Sequence, residues 1–141
     1  MTALEQATQS SRTDVQHLAR HQVMGLAAQF LLGTAVGLIG LPSQTSGAAH
    51  IATNVFLAAH MLIAAGLAVG AVLVLRGTAR APRWRHLATW GALAIMATIS
   101  AGVLTTITHS NWWSYAMAFG FIASLLTYGS LVVQAHDPNR R

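Results

Sequence analysis

Two long stretches of this chain carry no formal charge, and the polar residues that interrupt them fall at helical spacing. No Asp, Glu, Lys or Arg occurs from His21 to Leu75, or again from His86 to His136. One membrane-crossing helix needs about 20 apolar residues, so each stretch holds a helical hairpin. The pattern predicts an all-α, polytopic membrane protein, with four transmembrane helices in an up-down-up-down bundle. The expected spans are 22–41, 51–75, 86–108 and 112–134, within a transmembrane domain over 21–136. A polar tail over 1–20 and a short tail over 137–141 flank them. Pro42 closes the first span, because proline ends a helix without disturbing its interior.

Composition agrees with this reading. The chain is 54% hydrophobic and 8% charged, against roughly a quarter charged in soluble domains. Its charges gather in three clusters, around Glu5 to Arg20, around Arg76 to Arg85, and at Asp137 to Arg141. Basic residues favour the cytoplasmic side of short connections, so both termini and the central loop are expected inside a cell inner membrane. The net charge of +5 is all arginine at the ends of apolar runs. It implies contact with anionic lipid headgroups through Arg76, Arg80, Arg83 and Arg85, and no nucleic-acid partner. The first 20 residues are polar and include Glu5 and Asp14, unlike a secretory leader, so the first span is expected to be retained. Residues 1–13 read as a mobile tail. With no cysteine, disulfides and thiolate metal sites are excluded.

Small residues recur every fourth position in each span: Gly33 and Gly37, Gly66 and Gly70, Ala94, Thr98 and Gly102, then Ala116, Gly120 and Ser124. Lipid gives no hydrophobic drive for helix association, so close backbone approach at small residues has to supply the attraction. These faces are expected to join the helices or to join copies and partners in an oligomer. The alternative is that they leave room for a flat cofactor or a lipid tail.

Polar side chains deep in a span are the informative positions, because burying them in hydrocarbon is costly. His60 is expected near mid-membrane, with Gly37, Ser100 to Gly102 and Gly120 opposite. It reads as a neutral imidazole bonded to a carbonyl or to Ser100, as an axial haem ligand, or as a group that passes protons or substrate. His50 and His109 share the outer level, either among headgroups or as joint ligands of a metal or haem. Gln29 and Tyr128 share a level nearer the inside, as a hydrogen-bonded pair or as a contact for a quinone or polar headgroup. Thr98 and Thr105 complete a polar stripe of the bundle interior. The remaining histidines, His17, His21, His86 and His136, fall at or near the inner interface. No acidic residue lies in any span, so a nucleophile with a base and an orienting acid cannot be assembled there, and no catalytic residue is assigned.

The layout of Ala59, His60, Met61 and Leu62, with the outer histidines His50 and His109, resembles four-helix haem-binding membrane bundles, in particular one half of haem A synthase. That resemblance implies haem b held by His60, or by His50 with His109. The family carries a glutamate three residues before its second-span histidine, where this chain has Leu57, so its chemistry is not implied. The resulting expectation is a haem-binding or quinone-linked redox or accessory subunit. The alternatives are a small transporter or channel component and a structural interaction protein.

Overall fold

The computed structural model describes residues 3–79, 81–108 and 110–136, with side chains from Thr13 onward except those at 82, 83 and 111. Four α-helices follow in order: α1 (Ala3–Ile39), α2 (Gly47–Gly77), α3 (Pro82–Thr108) and α4 (Asn111–His136). A single 3-10 turn, Pro42–Gln44, lies between α1 and α2. All four helices are long and apolar enough to cross a membrane. In hydrocarbon every backbone polar group has to be satisfied within its own segment, and an unbroken helix does so.

The residue pairs that meet across helices give the direction of each. Along α1 and into the turn after it, Gln22, Gln29 and Gly40 meet Leu67, His60 and Thr53 of α2. Rising numbers on one helix match falling numbers on the other, so the two are antiparallel. Gln16 and Phe30 of α1 meet His136 and Phe121 of α4 in the same sense. Gly91 and Gly102 of α3 face Tyr128 and Met117 of α4. The helices therefore form a ring in which neighbours are antiparallel, α2 contacts α3, and the diagonal pairs do not touch among the described residues.

The turn between α1 and α2 is tied on both sides. Gly40 takes a φ of +104°, a conformation that side-chain-bearing residues rarely adopt, and lets the chain leave α1. The first turns of α2 then reach back: Thr53 Oγ1 donates to Gly40 O at 3.1 Å, and His50 Nδ1 donates to Pro42 O at 2.9 Å. At the opposite end of α2, the Thr78 hydroxyl donates to Val74 O, and Pro82 starts α3 where its missing N–H costs nothing.

In place of the mobile tail expected over residues 1–13, the chain is helical from Ala3 onward. Residues 3–20 contain neither Gly nor Pro and are rich in good helix formers. The buried Val15 and Ala19 anchor the segment, and Val15 packs on Gly77 at the end of α2.

The core sits between this end of the bundle and its middle. Ala19, Leu26, Leu67, Ala71, Val74, Ala88, Ile95, Tyr128 and Leu131 form one buried cluster. Outward-facing positions are largely apolar, with Leu38 at 83%, Leu62 at 74% and Phe119 at 73% exposure. A water-soluble monomer rarely presents so continuous an apolar surface, whereas lipid accepts it.

Candidate functional site

Halfway along the bundle, α1 and α2 are joined by two polar side chains. Gln29 Nε2 donates to His60 Nε2 at 2.9 Å, which leaves the imidazole proton on Nδ1. The ring rests on Gly33, one helical turn further along the same face as Gln29: a Cβ there would lie 3.3 Å from His60 Cε1. At 1.5 Å per residue, His60 is about 15 Å along α2 from His50 and about 24 Å from Arg76. Gln29 Oε1 and His60 Nδ1 are buried with no hydrogen-bond partner. One residue from Gln29, Phe30 stacks on Phe121 of α4, with ring centroids 5.4 Å apart.

This arrangement corrects two sequence expectations. The small residue facing His60 is Gly33 rather than Gly37, against which an added Cβ would meet nothing within 4 Å. The imidazole is bonded to Gln29, and Ser100 is exposed. Tyr128 accordingly does not pair with Gln29. It lies on the level of Gln22, because the contacts Gln16–His136 and Phe30–Phe121 bracket that register.

A second polar level results. Gln22 is 3% exposed, and its Nε2 donates to Leu67 O at 3.1 Å. Its amide occupies the space in front of Gly70, while the fully buried Tyr128 ring occupies the space in front of Gly91, where a Cβ would lie 2.8 Å from Cε2 and Cζ. Gln22 Oε1 and the Tyr128 hydroxyl have no hydrogen-bond partner. Gly91 is the residue that sequence reading missed, since it stands outside the four-residue stripe of its helix. The rigid Tyr128 opposite it was the available signal.

On α3, Thr98 Oγ1 donates back to Ala94 O at 2.7 Å and Thr105 Oγ1 to Ala101 O at 2.9 Å, so both hydroxyls are satisfied by their own helix. Thr98 fits against Gly120 of α4. Four glycines thus each face a polar side chain of the neighbouring helix: Gly33 faces His60, Gly70 faces Gln22, Gly91 faces Tyr128 with Thr127 beside it, and Gly120 faces Thr98.

His50 is exposed at the α1–α2 turn, and its Nδ1–H bond to Pro42 O holds the ring with Nε2 facing away from that carbonyl. Its expected partner His109 lies outside the described residues, as does Arg80, and the side chain of Arg83 does too. Arg76 and Arg85 are exposed at the turn between α2 and α3. Among the described residues, no three His, Asp or Glu side chains gather closely enough to hold a metal ion. No family model, curated protein or solved structure matches this chain.

Proposed function

We propose that the chain is a small integral membrane protein with a non-catalytic accessory or interaction role. In this reading it sits in the cell inner membrane, with its termini and the α2–α3 turn on the cytoplasmic side. Arg76 and Arg85 then meet anionic headgroups at about 1 kcal/mol each. Faces left open at Gly37 and Gly66 are available to a second copy or a partner subunit.

One observation carries the reading. The Gln29–His60 bond closes on Gly33, so the deepest polar side chains are spent on joining helices. An interhelical bond of this kind contributes about 0.6 kcal/mol on average, and it also selects one register among many similar apolar ones. Iron would need the Nε2 lone pair that Gln29 already engages, so His60 as it stands does not fit an axial ligand. Transport through the α3 stripe has little support either, because Thr98 and Thr105 are bonded within their own helix.

A second reading, a quinone-linked subunit, is favoured by the unpartnered His60 Nδ1–H near the Phe30–Phe121 stack. A quinone carbonyl accepts from an N–H and lies well on aromatic rings. One experiment separates these readings: purification in mild detergent, an absorption spectrum before and after adding haemin, and solvent extraction of bound quinone. The accessory reading expects no Soret band, no haemin uptake and no quinone above the level carried by lipid. Haemin uptake lost in His60→Leu would overturn it, and quinone lost in the same variant would establish the second reading.

A further inference from the structure

The Gln22–Tyr128 level is a buried polar position in the bundle. All four helices build it: Gln22 from α1, the Leu67 carbonyl and Gly70 from α2, Gly91 from α3, and Tyr128 from α4. It lies about 9 Å along α2 from Arg76, inside the apolar span. Leu26, Leu67, Ala71 and Tyr128 belong to one buried cluster around it.

The hydrogen-bond inventory there is unbalanced in a specific way. The bond from Nε2 to Leu67 O fixes the Gln22 amide, so Oε1 can only accept and needs a donor from elsewhere. The Tyr128 hydroxyl can donate and accept, and it does neither with any protein group. Both atoms belong to side chains more than nine-tenths buried and stand on one level of facing helices, yet they are not bonded to each other. Hydrocarbon supplies no partner to either. Two buried polar atoms on one level, each lacking a protein partner, are the setting in which proteins keep an internal water, whereas a dry void is lined by apolar atoms.

We propose that one water molecule is bound between Gln22 Oε1 and the Tyr128 hydroxyl, accepting from the phenol and donating to the amide oxygen. Both groups are neutral and their side chains are buried within the bundle, which matches water rather than a lipid-borne headgroup. This bridge couples α1 to α4 at a level where no direct side-chain hydrogen bond joins them.

The chain has two tyrosines, so Tyr115→Phe leaves Tyr128 as the single phenol. In that background, Raman spectroscopy of the purified full chain reads the hydrogen-bonding state of Tyr128 from its ring doublet. The expected result is a hydrogen-bonded phenol that becomes unbonded in Gln22→Leu. Radiolytic labelling of the unmodified protein in ¹⁸O water is the second readout, and it does not depend on any variant folding. A brief X-ray pulse should place ¹⁸O on Tyr128 despite its complete burial. An unbonded phenol would overturn the proposal. So would a bonded phenol without ¹⁸O, which would mean that Gln22 and Tyr128 touch directly.

Discussion

Replacing Gly120 and Gly66 by alanine adds the same methyl group to two spaced glycines and should move stability in opposite directions. At Gly120 the new Cβ would collide with Thr98 Oγ1 and lie 3.3 Å from both Ala94 O and Thr98 N. The hydroxyl is pinned by its 2.7 Å bond to Ala94 O, and the other two atoms are backbone, so relief requires α3 and α4 to separate. Overpacking of this kind costs about 1–3 kcal/mol, while alanine returns about 1 kcal/mol of helix propensity. Because two of the three atoms met are backbone, the cost falls in the upper part of that range, and the net expectation for Gly120→Ala is a loss of about 1–2 kcal/mol. At Gly66 nothing lies within 4 Å of the added carbon, so only the propensity gain of up to about 1 kcal/mol remains. Reversible unfolding in mixed detergent and dodecyl sulfate, followed by circular dichroism, measures both. A Gly120→Ala protein as stable as the parent would refute the close packing of α3 on α4. If Gly66→Ala instead destabilises in a manner that depends on protein concentration, a second copy covers that face, as the oligomer proposal expects.

The Gln29–His60 bond should appear in a double-mutant cycle with Gln29→Leu and His60→Leu as a coupling near 0.6 kcal/mol and no greater than about 1.7 kcal/mol. Strict additivity would show that the two side chains do not act together. Since the natural chain lacks cysteine, orientation can be read from single introduced thiols. Ser43→Cys, on the exposed turn after α1, should react with an impermeant maleimide in intact cells, and Ala79→Cys only after permeabilisation. The reverse pattern would invert the proposed topology.

Much of the architecture was legible because charge is expelled from hydrocarbon, and its absence marks helices regardless of how they pack. Partners across helices were less legible. In the sequence, only the ends of apolar runs mark level, but α1 continues past Gln22 as far as Ala3, so that end of its run is no landmark. The true anchor is the α1–α2 turn, where Thr53 and His50 hold Gly40 and Pro42. That anchor places His60 beside Gln29 and Gly33, and α4 then brings Tyr128 to Gln22. Sequence periodicity names the face that a residue occupies, while its height depends on turn geometry that no composition reveals.

The glycines and the polar residues, which the sequence presents as two separate patterns, are one device in the folded chain. A polar side chain in a membrane helix needs shelter from lipid, and a neighbouring helix with ordinary side chains keeps it at a distance. Glycine opposite removes that obstacle, so His60, Gln22, Tyr128 and Thr98 each enter the space that a missing Cβ leaves on the adjacent helix. The pairing also explains why spacing alone misjudged the glycines. Gly91 has no small residue four positions away but faces a buried tyrosine, whereas Gly66 belongs to a regular pair and faces nothing. In this bundle the meaning of a glycine is set by the side chain opposite it.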